Sequence, residues 1–287
     1  VPAPRLDREE YVEQAYFFRT YRERIDDNLP AQEVLASIQE ELLATTKLPY
    51  AVSFLYGELQ LHGRIGEGMA KLSHYFAPFQ AFVMQRAEDD ESKFEVRMAL
   101  RILEREAEFR AQGGQPAALF IYQFECLARN HLGYDRGLTA MADDGFYNAD
   151  WREWIESLRR QLGTRDFADL IYLRSQHRVD EARRRHPGRD LPDLPPILFG
   201  AQEGRIAKAH RGKDPLYMFA ALQRHLGYPA VPRPEPPRVG PLFEPHVETR
   251  FHRLEARLSL LEQEMKGGID LSQFVKREGA FPDDDEG

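Results

Sequence analysis

One cysteine, Cys126, stands among 287 residues, which excludes an intramolecular disulfide and the thiolate-rich structural zinc sites. No Asn-x-Ser/Thr acceptor occurs either, and the two absences together point to a reducing, cytoplasmic setting. No run approaches the roughly 20 apolar residues of a membrane span, and the stretch after Val1-Pro2-Ala3-Pro4-Arg5 is charged rather than apolar, so neither a membrane nor an export route is expected. Phosphate cradles are missing: there is no G-x-x-x-x-G-K-[ST], and Gly63, Gly66 and Gly68 stand in the wrong order for a dinucleotide fingerprint. H-E-x-x-H and the Glu-x-x-His of di-iron bundles are absent as well. Lysine is scarce, 7 against 32 arginines, and the formal net charge of -8 disfavours nucleic acid and anionic lipid as partners. No motif is specific enough to name a reaction or a ligand.

What is present can build a core: 42% apolar, 11% aromatic and 30% charged residues. The apolar spacing repeats at three and four, and no stretch alternates at strand period, so the fold class is all-α. Asp7 is placed to cap a first amphipathic helix carrying Tyr11, Ala15, Phe18 and Ile25. Pro30 and Pro49 open the next two, with Val34, Leu35, Ile38 and Leu42 on one and a run through Leu61 on the other. A longer helix follows Ser92 and stops at Gly113-Gly114. From Pro116 to His131 the chain is apolar nearly all round, as a helix inside a bundle must be. Asn148 then caps a helix that aligns Trp151, Trp154, Ile155, Leu158 and Leu162, for which core packing is the expected role. Thr164 is read as the start of one more, reaching toward Arg185.

Composition shifts at Pro187. Twelve of the 19 prolines lie between 187 and 245, which reads as an extended connector with one helix from Pro215 to Gly227. The expected organisation is a helical bundle over 1–186, a proline-rich connector over 187–245, a coiled coil over 246–266 and a loosely ordered acidic tail over 267–287. The coiled coil rests on Val247, Phe251, Leu254, Leu258, Leu261 and Met265, which advance by 4, 3, 4, 3 and 4. In a parallel pair Arg250 meets Glu255 and Arg257 meets Glu262, whereas an antiparallel pair sets like charges together. A parallel homodimer is therefore expected, the alternative being a lone amphipathic helix on its own body.

Three weak constellations carry chemistry. Glu58 and His62 sit i to i+4 on one helix, with His74 twelve residues on. A carboxylate and two imidazoles suffice for a divalent metal and a metal-bound water, although solvated helix faces show the same spacing. No other cofactor is indicated. Arg174, Arg178, Arg183, Arg184, Arg185 and Arg189 can fork onto phosphates, or simply solvate a helix end ahead of Pro187. Cys126 and His131 fall about 140° apart on a helix, so the thiol reads as buried and inert. With catalytic motifs missing and an association segment present, the expected role is a non-catalytic, homo-oligomeric interaction or scaffold protein. The alternatives are a metal-dependent hydrolase in the helical body and a polyanion- or nucleic-acid-binding protein acting through the arginines.

Overall fold

Among the described residues up to Arg233, thirteen helices follow one another in the computed structural model: α1 (Arg8–Asp26), α2 (Ala31–Glu41), α3 (Leu48–His62), α4 (Gly66–Lys71), α5 (Pro78–Ala87), α6 (Val96–Ala111), α7 (Pro116–Arg129), α8 (Tyr134–Ala142), α9 (Ala149–Gln161), α10 (Phe167–Leu173), α11 (Gln176–Arg185), α12 (Ala201–Ala209) and α13 (Pro215–Leu226). The structure describes residues 5–185, 194–233, and 250, 253, 254 and 258. Among the described residues there is no strand, only the isolated bridges Leu162–Arg165 and Ser175–Phe199. The all-α reading is thus the observed class. Two units are separable, Val1–Pro234 and Glu235–Gly287.

Helix α7 organises the first unit. Pro116 occupies its first turn, where a missing N–H costs nothing, and every residue from Ala117 to Leu127 is buried. Phe120 is the hub of an aromatic cluster, with ring centroids 4.8 Å from Trp154, 5.5 Å from Trp151 and 6.2 Å from Phe199. The two tryptophans are core residues, as their stripe requires. Asn148 caps α9 by accepting from the Trp151 N–H at 3.0 Å.

Polar side chains do more inside this unit than the amphipathic pattern suggests. On α1, Glu10 and Glu13 are buried and accept from the Lys47 and Leu43 N–H groups at 2.9 and 3.0 Å, fastening the entry to α3. Deeper still, Arg110 on α6 is ion-paired with Glu106 at 3.0 Å and with Asp144. Gln123 of α7 donates to the same Glu106 carboxylate at 2.5 Å and accepts from the Tyr147 hydroxyl at 2.7 Å. Burial would strip the Arg110 proton, but Asp144 and Glu106 together hold its pKa well above the usual guanidinium value. Such a cluster fixes one arrangement of α6, α7 and the loop before α9, because any other leaves buried charge unpaired.

Three expectations change. Asp7 does occupy the N-cap of α1, but its side chain makes no capping hydrogen bond. Thr164 does not start a helix: its hydroxyl donates to the Gln161 carbonyl, and Asp166 caps α10 through the Ala168 N–H. The single helix expected toward Arg185 is two, α10 and α11, broken at Arg174-Ser175. There the returning chain supplies backbone bonds, Gln176 N–H to Phe199 O at 2.9 Å and Leu198 N–H to Arg174 O at 2.9 Å. That return also corrects the expected connector. The described residues 194–233 carry two helices where one was expected, and Phe199, Ala207, Met218, Phe219, Leu222, Tyr228 and Val231 join the core cluster of the bundle. Tyr228 is tied in by donating to Glu125 at 2.7 Å. Proline density marks where the chain is stiff, and says nothing of whether it is packed.

In the second unit Arg250, Arg253, Leu254 and Leu258 are helical and exposed. The other seam and flanking residues, Val247, Phe251, Glu255, Arg257, Leu261, Glu262 and Met265, lie outside the described residues, as does the tail over 267–287.

Candidate functional site

A cleft of about 600 Å³ opens where the ends of α7 and α9 meet the starts of α8, α10 and α13, within the range of small-ligand and side-chain-anchor sites. Its floor is aromatic. Phe124 and Phe167 stack with centroids 3.9 Å apart and planes 9° from parallel, and Phe219 lies 6.2 and 6.0 Å from the two. Tyr134 forms a half-open lip 5.5 Å from Phe124, its phenol pKa raised by burial. Leu216, exposed on the first turn of α13, faces it as a second apolar lip.

Local sequence explains each placement. Phe124 comes from the all-apolar helix. Gly163 ends the α9 segment with φ +88°, a conformation open to glycine, and turns the chain so that Phe167 enters from α10. Asp214 caps α13 through the Leu216 N–H at 2.9 Å, setting Pro215, Leu216 and Phe219 in order along the wall. The rim is charged: Arg159 donates through Nε to Asp135 at 2.8 Å, while Arg165 is exposed with no carboxylate within ion-pair distance among the described residues. Among the described residues the lining contains no imidazole, thiol or amine. Asp214 is occupied in capping and Arg159 and Asp135 in pairing, an arrangement suited to holding an apolar group beside the Arg165 guanidinium.

The sequence-derived candidates fall elsewhere. Glu58 and His62 are close, Oε2 to Nε2 at 4.0 Å, but Lys71 sits on the same Glu58 oxygen at 2.6 Å. His74 is exposed beyond α4 and does not join them, and no three such groups converge for a metal among the described residues. The reason is the packing of α4: Gly68 lies against the Glu58 stem, so close that a Cβ would meet Cγ at 3.1 Å, and Lys71 one turn later reaches the carboxylate. The expected ligand triad is therefore a salt bridge with a histidine at its edge.

The arginines divide. Arg174 is half-buried at the α10–α11 break, and burial lowers its pKa. Arg178 donates to the Leu173 carbonyl at 3.0 Å. Arg183, Arg184 and Arg185 are exposed, Arg185 lying 3.8 Å from Glu181. Glu181 is held down to about 2, chiefly by its bond from Lys208 and then by the Tyr172 hydroxyl. Arg189 lies outside the described residues. Cys126 is fully buried, and burial pushes its thiol pKa well up, as suits an inert side chain.

The cleft itself was missed in the sequence reading, because its residues come from five helices. The one available signal was the apolar helix started by Pro215 after a capping Asp, whose first turn carries more apolar surface than a connector needs. No protein-family model matches the chain, and neither a curated protein nor a solved structure matches it.

Proposed function

We propose that this chain is a non-catalytic interaction protein, a cytoplasmic scaffold that self-associates and holds an apolar anchor of a partner protein in the Phe124–Phe167–Phe219 cleft. The observation that carries the reading is the cleft: an aromatic floor, apolar lips at Tyr134 and Leu216, and at the rim Arg165, exposed and without an ion-pair partner among the described residues. Anchors of this kind are aromatic or branched side chains that fill a desolvated pocket, and a neighbouring acidic residue on the partner would answer Arg165. The single buried cysteine is consistent with a reducing compartment. The a/d spacing from Val247 to Met265 supports a parallel coiled-coil homodimer as the scaffold's assembly.

The test uses 8-anilinonaphthalene-1-sulfonate, a flat apolar anion, titrated into the full chain and followed by fluorescence. Saturable binding that weakens at least several-fold in Leu216→Arg, and less in Arg165→Glu, is expected. Binding that neither substitution changes would remove the cleft from the reading. Replacing Leu254 and Leu258 with Lys in the full chain tests the coiled coil by sedimentation. A second reading, polyanion binding, is favoured by one observation, the three consecutive exposed arginines Arg183 to Arg185. Affinity for a polyanion that falls steeply with salt would support it.

A further inference from the structure

Helix α3 is apolar nearly all round yet is covered by the described residues on one side only. Leu48, Val52, Leu55 and Leu59 are buried. On the opposite face Tyr50 is 80%, Phe54 39% and Leu61 77% exposed. A helix with apolar residues on every side is ordinarily buried on every side, so this face is short of a partner. Between Leu48 and His62 the only acid is Glu58, neutralised by Lys71 at 2.6 Å, and Lys and Arg are absent.

Gly57 lies in the middle of the open face. A Cβ there would meet nothing within 4 Å, and its φ is not positive. No contact among the described residues calls for glycine at this position, where it weakens the helix relative to alanine. Tyr50, Phe54, Gly57 and Leu61 advance by 4, 3 and 4, the a/d stepping of a helix–helix seam, and at about 100° per residue they span only about 60° of the surface.

We propose that the open face of α3 is an interface with a second copy of this chain, the two α3 helices packing antiparallel about a two-fold axis. In an antiparallel a/d seam Phe54 packs on the partner's Gly57 and Tyr50 on the partner's Leu61, and the two-fold repeats both contacts. The phenylalanine knob thus finds the glycine hole, a self-complementarity that a parallel pair lacks, since it sets Phe54 against its own copy and leaves the glycines facing a void. Charge argues the same way. Two copies each carrying -8 repel wherever their charged surfaces meet, and the uncharged face through Tyr50, Phe54, Gly57 and Leu61 lets them approach there without juxtaposed like charge, Lys47 at the N-cap and Arg64, already paired with Asp90 at 2.7 Å, standing at its two ends. An anionic membrane is the poorer occupant, because interfacial helices carry Lys and Arg along the whole flank of their apolar face, whereas here Lys47 and Arg64 stand beyond the two ends of α3 and Arg64 is paired with Asp90 at 2.7 Å.

The proposal rests on the reading of the chain as self-associating and names one surface for it. Fifteen residues make a helix about 22 Å long, smaller than a standard stable interface, so a Kd on the order of 1–100 µM is expected. Sedimentation velocity of the full chain across that range, with wild type, Leu61→Arg, Gly57→Ala and Phe54→Gly, decides it. Leu61→Arg is expected to abolish the α3-dependent step. Gly57→Ala is expected to raise the thermal midpoint by a few degrees while weakening association at least tenfold, a pair of opposite effects that a merely structural glycine would not give. Phe54→Gly should also dissociate, and the double variant Phe54→Gly, Gly57→Phe should recover association by exchanging knob and hole. Association unchanged in Leu61→Arg or Gly57→Ala would overturn this interface while leaving self-association through another surface intact. A wild type that sediments as a monomer throughout would overturn both. Failure of the double variant to recover would overturn the antiparallel arrangement.

Discussion

Helices α7 and α3 are written in nearly the same way and end in different surroundings. Both carry a proline in the first turn and few charges, and both are apolar around their circumference. Helix α7 is enclosed by α6, α8 and α13, and its polar exceptions are paired: Gln123 with Glu106 and Tyr147, Glu125 with Arg129 and Tyr228. Helix α3 meets α1, α2 and α4 on one side, and Tyr50, Phe54 and Leu61 remain in solvent. Apolar periodicity therefore measures how much surface a helix must cover, whereas the available neighbours decide whether this chain covers it alone.

Substitutions can break that contrast. The largest effect is expected at Phe120→Ala, which empties the centre of the aromatic cluster and should destabilise the fold by about 3–5 kcal/mol in urea denaturation. A loss below about 1 kcal/mol would mean that the cluster repacks freely and that α7 is not the hub. Next comes Gln123→Leu, which leaves the Tyr147 hydroxyl buried without its acceptor and Glu106 without one donor. A cost of about 1–3 kcal/mol is expected, and a neutral result would show that the network adds nothing to apolar packing.

On α3 the sign reverses. Gly57→Ala should stabilise the folded chain by about 0.5–1 kcal/mol, measured at a concentration where association is negligible. Leu61→Lys is expected to shift stability by no more than about 0.5 kcal/mol, and a larger loss would show that the face is covered from within the chain. A last comparison needs no denaturant: native Cys126 on α7 should resist an aromatic disulfide reagent, while Leu61→Cys introduces a thiol that reacts at once. Rapid labelling of Cys126 in the native chain would contradict its burial.

Much of the first unit was legible because its signals are local. Pro49 and Pro116 begin helices, Asn148 caps one, and the stripe from Trp151 to Leu158 faces the core as its spacing requires. The break between α10 and α11 was not legible, since it depends on Phe199 arriving from 24 residues beyond Ser175 to supply backbone partners. The same return turned an expected connector into core. Glu58 and His62 were placed correctly relative to each other by helical spacing, but the third partner, Lys71 rather than His74, was chosen by how closely Gly68 lets α4 approach. The aromatic cleft is farther still from sequence, being a shared edge of five helices.

The sequence by itself determined that this chain is helical, that α7 is its inner helix, that its tryptophans are core and that its one thiol is buried. Each follows from residue types repeating at the helical period, or from a side chain acting within its own turn. Only the tertiary structure decided that residues 194–233 belong to the bundle, that Arg110 is held between Glu106 and Asp144, that Phe124, Phe167 and Phe219 share one cleft and that one face of α3 stays open. These depend on contacts between segments far apart in the chain, and such contacts are selected by the fit of whole surfaces rather than by any spacing a single segment carries.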